Sequence, residues 1–227
     1  MTRQLPLALQ PRSGSHERED LAVGPSNRDV LAWIDAWPAW PGGGLVVHGP
    51  EGSGKSHLAS IWATRAGADR LSLASPLERI AGLSRPALLL EDADRALSAG
   101  AAAEQALFHA YNLVVQAGGT LMLTAREPAP RWGIALADLR SRLQALPAAE
   151  LKPPDDAMLA AVLSKLFADR QIPPDREIVH FIASRVERRL STLGAVVDEL
   201  DRAALAAGRG VTLPFVRQVL RERGLFD

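Results

Sequence analysis

The chain has 227 residues, 47% hydrophobic and 23% charged, which is a typical composition for a globular protein and enough for one large domain or two modest ones. Its 26 basic residues balance its 26 acidic residues, so no net charge draws it towards nucleic acid or an anionic membrane. The absence of cysteine excludes disulfides and thiolate chemistry. The N-terminus carries only Arg3 before Pro6 and lacks the apolar region and cleavage site of a secretory signal, so we expect a cytoplasmic protein.

The first 45 residues predict a tail and then one helix. Residues 1–19 mix proline, serine and charge without a helical or strand period, which predicts a flexible tail. Ser26 is predicted to cap the first helix. The apolar face of this helix is formed by Val30, Leu31, Ile34 and Trp37. Residues 45–48 are short, β-branched and bounded by glycine, which predicts a buried parallel strand.

Helices and strands then alternate. Helices are predicted over residues 55–65 and 102–116, and strands over residues 71–73, 86–90 and 120–124. This rhythm predicts an α/β fold, a parallel sheet flanked by helices, over residues 20–152. After the pair Pro153-Pro154 the apolar positions follow a helical period through four segments. We therefore predict a small all-α lid domain over residues 153–227.

A phosphate-binding motif lies between the first predicted strand and the next helix. It fits the pattern G-x-x-x-x-G-K-[ST] and consists of Gly49, Pro50, Glu51, Gly52, Ser53, Gly54, Lys55 and Ser56. Glycines let backbone N–H groups surround the phosphates, Lys55 reaches the β and γ oxygens, and Ser56 supplies a ligand for Mg²⁺. The motif predicts a P-loop that binds ATP or ADP.

An acidic pair follows the strand predicted at residues 86–90. Glu91 and Asp92 are expected at its carboxyl end, beside the ligand crevice of an open sheet, where they would hold Mg²⁺ and orient water. Most such motifs begin with aspartate, so the longer Glu91 must reach the metal differently. A solvated acid pair without a catalytic role remains the alternative, as does a helix-capping role for Asp94.

Aromatic and histidine residues near this motif are assigned to packing. Trp33, Trp37 and Trp40 surround one helix without neighbouring lysines, which favours packing or a partner interface over base stacking. His48 and His57 flank the phosphate loop without a metal-binding pattern. We expect them to be buried residues of the strand and helix.

Several stretches resemble the DnaA-related AAA+ family, and most closely its Hda regulators, including the alphaproteobacterial form. Residues 54–58 (Gly-Lys-Ser-His-Leu) resemble the G-K-T-H-L of that family, and residues 123–128 resemble its L-T-S-D-R-P strand end, called sensor 1. Other similar segments are residues 23–27 before the first helix, 136–143 with the L-x-S-R finger, 187–193 with sensor 2, and 212–216 in the last lid helix. The resemblance covers about residues 20–223.

The resemblance implies an AAA+ P-loop NTPase with a helical lid, and it implies roles for single residues. Arg142 matches the arginine finger, which acts in trans on nucleotide bound by a neighbouring protomer. Its neighbour Arg140 is the alternative finger, and pairing of Arg142 with an acid in its own domain is the non-catalytic alternative. Arg188 matches the sensor 2 arginine, with Arg185 and Arg189 as adjacent alternatives. Further nucleotide contacts are implied for Val23, His57 and Thr124.

The N-terminal tail carries a second resemblance within the same family. Its residues Gln4, Leu5, Pro6, Leu7, Ala8 and Leu9 resemble the Q-L-x-L-x-L peptide by which Hda docks on the β sliding clamp of DNA polymerase III. Alternating leucines in an extended peptide fill pockets while the glutamine hydrogen-bonds at the rim. The resemblance therefore implies clamp binding.

Together these features predict a negative regulator of replication initiation, associated with the nucleoid or replisome, that stimulates hydrolysis of ATP bound to DnaA. Arg126 at the usual sensor 1 aspartate, together with Glu91, predicts weak hydrolysis by the chain itself. The resemblance ends without the helix-turn-helix domain of DnaA, so we expect no sequence-specific DNA binding; a homodimer stays open. The alternatives are a free-standing ATPase that loads or remodels a replication factor, and an adaptor whose nucleotide only fixes the lid.

Overall fold

A computed structural model of the protein describes residues 21–74, 80, 82–173 and 175–224. In these ranges five strands form one sheet. They are β1 (Gly44–His48), β2 (Asp69–Arg70), β3 (Ala87–Leu90), β4 (Thr120–Ala125) and β5 (Ala148–Glu150). Their spatial order is β2-β3-β4-β1-β5, and every pair is parallel. The predicted parallel α/β sheet is confirmed.

Helices cover both faces of this sheet. They are α1 (Arg28–Asp35), α2 (Lys55–Ala66), α3 (Ala93–Leu97), α4 (Ala101–Gln116) and α5 (Ala137–Ala145). Alternate residues of β4 enter two different apolar clusters: Leu121 and Leu123 join α4 and α5, whereas Met122 joins α1 and α2. Because successive strand residues point to opposite faces, the two clusters form the two sides of the core. This double burial explains why the strands are continuously apolar.

The predicted packing of Trp33, Trp37 and Trp40 is confirmed, since they join Trp62 in the α1–α2 cluster. The rings of Trp40 and Trp62 are stacked with centroids 5.2 Å apart, and the ring of Trp37 meets Trp62 edge-on at 6.5 Å. Trp40 Nε1 donates to the carbonyl oxygen of Trp33 at 2.7 Å. These residues anchor the helix that precedes β1.

Some local predictions are wrong. Residues 71–73 are not a strand: the ladder with β3 pairs only Asp69 and Arg70, and Leu71 and Leu73 pack onto the core from the following loop. Their alternation reflects that packing. Asn27, not Ser26, occupies the N-cap position of α1. The elements α5 and β5, which are short or polar, were not predicted. The helix suggested by Asp94 is α3, but Asp92 rather than Asp94 occupies its N-cap position.

The four predicted lid helices are confirmed as α6 (Asp156–Asp169), α7 (Arg176–Ala183), α8 (Leu190–Ala207) and α9 (Leu213–Glu222). Aspartate side chains cap two of them, since Asp155 accepts from Met158 N and Asp175 accepts from Glu177 N. A separate apolar cluster lies entirely within these helices. The domain boundaries at residues 19/20 and 152/153 stay predictions.

The helices of the described residues were also compared with the length of a membrane span. None of those helices combines the length and the apolar character that crossing a bilayer requires.

A buried acid joins α4 to the start of α5. Glu104 is only 7% exposed, and its carboxylate accepts backbone N–H groups from Ala135 at 3.0 Å and Leu136 at 2.7 Å. These are donors that a helix N-terminus leaves without an intrahelical partner. Glu104 therefore fixes where α5 begins.

We expect Glu104→Ala to lower the free energy of unfolding by about 1–3 kcal/mol, because two backbone donors lose their acceptor. Glu104→Gln, which keeps one carbonyl oxygen, should lose less. Urea unfolding measures both, and Gln105→Ala, an exposed site on the same helix, is the control with a change of about 0.5 kcal/mol or less. Equal stability of Glu104→Ala and Gln105→Ala would contradict the assignment.

Candidate nucleotide-binding site

The phosphate loop connects the end of β1 to the start of α2. Gly49 N donates to Ala125 O of β4 at 3.2 Å, so the loop begins at the carboxyl edge of the sheet. Gly49 has φ of 152°, and a Cβ at this position would lie 2.1 Å from the carbonyl oxygen of Leu151. Only glycine therefore fits between β4 and the chain that follows β5.

Lys55 occupies the mouth of this loop. It is 8% exposed, and its Nζ donates to the carbonyl oxygens of Gly49 and Pro50, both at 2.8 Å. Burial lowers the pKa of Lys55, because removal of water disfavours the charged ammonium. The loop thus holds a poorly solvated cation close to its backbone, the position from which a lysine contacts phosphate oxygens.

Four charged side chains modulate that ammonium. In order of effect on the pKa of Lys55 after burial, Asp92 raises it, Arg126 lowers it, and Asp94 and Glu51 raise it. Three carboxylates and one guanidinium therefore lie within electrostatic range of the lysine.

The predicted acidic pair divides between two positions. Glu91 forms an ion pair with Arg70 at the sheet edge, and the same guanidinium donates to Ser60 Oγ at 3.1 Å. Asp92 adopts a left-handed conformation with φ of 49°, and its N–H donates to Thr124 Oγ1 at 3.1 Å. Asp92, rather than Glu91, is the acid that acts most strongly on Lys55.

Thr124 lies inside the sheet rather than at its surface. It is buried and its hydroxyl accepts the backbone N–H of Asp92, which ties the carboxyl ends of β3 and β4 together. The sequence-based role of Thr124 as a nucleotide contact stays a prediction. Its observed role is to fix the acidic turn beside the phosphate loop.

The two histidines differ in burial. His48 is partly buried at the end of β1, and burial lowers its pKa, opposed by Glu150 and Glu127. His57 is exposed, so the expectation that it is buried is wrong. Ser56 and His57 both lie in the first turn of α2, and both residues are exposed.

The segment before α1 is held by Asn27. This buried side chain accepts from Gly24 N at 2.9 Å and donates to Ala22 O at 2.8 Å, and Ser26 O accepts from Lys152 N at 3.1 Å. Val23, the predicted nucleotide contact, remains 59% exposed. This bridging role of Asn27 was not predicted from the sequence, although asparagine side chains commonly hydrogen-bond the backbone of turns.

The lid touches the phosphate loop directly. Leu190 N, at the start of α8, donates to Gly52 O at 2.8 Å. A Cβ at Gly52, whose φ is 77°, would lie 2.9 Å from both Cβ and Cγ of Arg189. Arg188, the predicted sensor 2 residue, instead pairs with Asp156 at 2.9 Å. Arg189, the alternative, is the lid arginine in contact with the loop.

Arg142 lies on α5 at the other end of the sheet. Its guanidinium covers the rings of Phe108 and Tyr111, at 5.2 and 5.7 Å from their centroids. The Tyr111 hydroxyl donates to Gly42 O at 2.7 Å, just before β1 begins. Burial raises the pKa of Tyr111, and Arg142 opposes that shift. Since the phosphate loop follows the opposite end of β1, Arg142 lies away from its own loop.

The neighbouring arginine has a different environment. Arg140 Nη1 donates to the carbonyl oxygen of Ile134 at 3.0 Å, which ties it to the segment before α5. Both arginines are exposed, but Arg142 lies in the last turn of α5 with its guanidinium over the rings of Phe108 and Tyr111. The two candidates for the finger are therefore distinguished by their contacts.

The residues of this site suit a bound nucleotide better than a metal ion held by protein side chains alone. The described part of the chain contains no cluster of three or more histidine, aspartate or glutamate side chains able to hold a metal ion. Mg²⁺ in phosphate-loop sites takes its ligands from one or two protein groups and the phosphates. Ser56 and Asp92 are placed for this role, whereas Glu91, the predicted metal ligand, is paired with Arg70. The clamp-binding residues 4–9 lie outside the described residues.

Comparison with known proteins identifies the lid and the fold. Residues 156–220 match the family model "Hda, lid domain". Domain III of the Thermotoga maritima replication initiation protein DnaA is similar, with a TM-score of 0.78 and 20% identity, over 94% of this chain and 98% of that one.

Two further structures are also similar. AMPPCP-bound DnaA from Aquifex aeolicus has a TM-score of 0.73 and 16% identity, over 93% of this chain and 71% of that one. A Thermotoga maritima RuvB variant has a TM-score of 0.69 and 15% identity, over 90% of this chain and 70% of that one. The chain therefore shares the AAA+ fold of these structures, and its residues 156–220 match the Hda lid domain.

Proposed function

We propose that this protein is a negative regulator of replication initiation that stimulates hydrolysis of DnaA-bound ATP through Arg142. The observation that carries the proposal is the position of Arg142, exposed on α5 at the end of the sheet opposite its own phosphate loop. An arginine placed there does not reach nucleotide bound by the same chain. It is available to complete the site of a neighbouring protomer.

The contacts of Arg142 support its assignment over Arg140. Phe108 and Tyr111 lie one turn apart on α4 and present their rings to its guanidinium. Cation–π contacts of this kind contribute about 0.5–2 kcal/mol, enough to orient the side chain and weak enough to yield to a phosphate. Glu104 lies on the same face of α4 and fixes the start of α5. Helix α4 therefore positions both the helix that carries Arg142 and the guanidinium itself.

The same proposal assigns ADP or ATP with Mg²⁺ to the phosphate loop. Lys55 would contact the β and γ oxygens, and the N–H groups of residues 51–56 would surround the phosphates. Ser56 with Asp92 would hold the metal, because Glu91 is paired with Arg70. When bound, Mg²⁺ neutralises phosphate charge. Binding of nucleotide would also secure the lid, because Gly52 O already accepts the N–H of Leu190.

Weak hydrolysis by the chain itself follows from two contacts. Glu91 is engaged by Arg70, so it is not positioned to activate water. Arg126 pairs with Glu51 where the related sequences carry an aspartate. The main hydrolysis would therefore take place at the ATP bound by DnaA. The peptide of residues 4–9 would bring the protein to the β sliding clamp at the replisome.

Replacing Lys55 with alanine should weaken ADP binding by about 10- to 100-fold, the value of one or two charge-assisted hydrogen bonds. Calorimetric titration of the purified chain measures the change. Lys152→Ala, an exposed lysine beyond β5, serves as the control and should retain wild-type affinity. Unchanged ADP affinity in Lys55→Ala would contradict the nucleotide site, and steady ATP turnover that depends on Asp92 would favour a free-standing ATPase.

Replacing Arg142 with alanine should abolish the acceleration of phosphate release from ATP-bound DnaA in the presence of clamp and DNA. Comparable fingers contribute about 10³–10⁵ in rate. Single-turnover release of labelled phosphate is the measurement, with binding of ADP and clamp as folding controls. Arg140→Ala should keep most of the acceleration. If only Arg140→Ala loses it, Arg140 is the arginine finger instead. Full acceleration by Arg142→Ala would exclude Arg142 as the finger.

Replacing Gln4 with alanine should raise the dissociation constant for the β sliding clamp by about tenfold, because one interface hydrogen bond is lost. Surface plasmon resonance on immobilised clamp gives the affinity. Gln10→Ala, just outside the peptide, is the matched control and should bind normally. If both variants bind like the wild type, the peptide is not the docking element.

A further inference from the structure

Two arginines from different parts of the lid lie over one aromatic ring. Phe181 of α7 is partly buried against the apolar cluster of the lid. The guanidinium carbon of Arg185, just beyond α7, is 4.1 Å from the centroid of this ring, and that of Arg217 on α9 is 5.1 Å from it. Because both distances are measured to the same centroid, the two guanidinium carbons are at most about 9 Å apart. That separation is close to the Debye length of about 8 Å at physiological ionic strength, so the fields of the two charges add.

Neither of these arginines has an acidic partner among the described residues. Arg185 donates to Ser184 Oγ at 3.1 Å and to Phe181 O at 3.4 Å, and both acceptors are neutral. The ion pairs of the described lid involve other arginines, namely Arg170, Arg188, Arg189, Arg202 and Arg223. The ring of Phe181 thus holds two positive charges together without a carboxylate to balance them.

Arg221 extends this positive surface along α9. It follows Arg217 by one helical turn, and residues four apart lie on the same face of a helix. Arg185, Arg217 and Arg221 are all exposed, and Arg221 has no ion pair within the described chain. The adjacent Glu222 accepts a hydrogen bond from Gln218 at 2.9 Å. We call the three arginines the lid arginine cluster.

The lid arginine cluster suits phosphate groups better than bases. A guanidinium forms charge-assisted, often bidentate, hydrogen bonds with phosphate oxygens. Single-stranded nucleic acid is held by open aromatic rings on which bases stack, whereas the ring of Phe181 is partly buried and already contacted by two guanidinium groups. Contacts to phosphates alone carry no sequence information. The cluster therefore favours the backbone of a duplex, bound without regard to sequence.

An acidic segment of another protein fits this surface less well. Protein interfaces have an apolar core surrounded by polar residues. In the described part of the lid, the one large hydrophobic side chain that is strongly exposed is Leu205, on a different helix, α8. A DNA duplex carries one negative charge per about 1.7 Å of its axis, so a surface as wide as the cluster meets several phosphates at once.

We propose that the lid arginine cluster binds the phosphate backbone of duplex DNA independently of base sequence, with Phe181 positioning two of its three guanidinium groups. The contact requires neither the phosphate loop nor Arg142, and only the choice of DNA as the duplex rests on the replication role proposed above. Sequence-independent contacts of this kind give dissociation constants of about 10⁻⁴–10⁻⁶ M at physiological salt. The cluster therefore orients a protein that is already close to DNA.

The test is fluorescence anisotropy of a labelled DNA duplex titrated with the full-length chain at several salt concentrations. Three phosphate contacts predict that the logarithm of the association constant falls with the logarithm of salt concentration with a slope of about −2.7. Arg217→Gln should weaken binding and reduce the size of that slope by about one. The triple variant Arg185→Gln, Arg217→Gln, Arg221→Gln should lose detectable binding. Phe181→Leu keeps the charge and the apolar contact, and should weaken binding less than the triple variant does.

The control variant is Arg202→Gln, which removes the same charge from α8, where Arg202 pairs with Glu199. It should keep the affinity and the salt slope of the wild type, and two duplexes of unrelated sequence should bind equally. Equal losses in Arg202→Gln and Arg217→Gln, or a strong preference for one sequence, would overturn the proposal. So would a wild-type chain that binds a poly-glutamate peptide or duplex RNA but not duplex DNA.

Binding of ADP and of the β sliding clamp is measured on the same variants. Both should match the wild type, because the lid arginine cluster belongs to neither site. A wild-type chain that fails to bind duplex DNA but still binds ADP and stimulates DnaA would overturn this inference alone. Failure of the proposed function would instead appear as lost stimulation of DnaA by a chain that still binds DNA.

Discussion

The Lys55 ammonium, held by two carbonyl oxygens of its own loop, is the interaction on which the rest of the site depends. The loop reaches that geometry only because Gly49 passes against the carbonyl of Leu151, where a side chain has no room. Burial disfavours the charged form of Lys55 and lowers its pKa. In this poorly solvated setting a phosphate is attracted to the ammonium more strongly than it would be in water. The acids and the arginine around Lys55 set the local charge that a bound anion would meet.

Sheet polarity separates the two functions assigned to this chain. All described strands are parallel, so their carboxyl ends gather the phosphate loop, the acidic turn and Arg126 at one edge. The segment before β1 lies at the other edge, and Tyr111 brings α4 and the Arg142 side chain to it. A single molecule thus presents its phosphate loop at one end of the sheet and Arg142 at the other. The proposed action of Arg142 on a neighbouring protomer depends on this separation.

The lid contributes through a few contacts rather than a large shared core. Its helices pack on one another in a cluster of their own. The bond from Leu190 to Gly52, and the contact of Arg189 with the same glycine, connect this unit to the phosphate loop. These two contacts are the route by which a change in the loop would reach the start of α8.

The sequence by itself determined the features that depend on neighbouring residues: the phosphate loop between a strand and a helix, the buried strands around it, and the four amphipathic lid helices. It failed at Leu71 and Leu73, because alternation does not distinguish a strand from a loop that packs on the core. The pairings of Glu91 with Arg70, Glu51 with Arg126, and Arg142 with Phe108 were decided only by the tertiary structure. Each joins residues far apart in sequence, and the strand order that brings them together is not encoded in any local pattern.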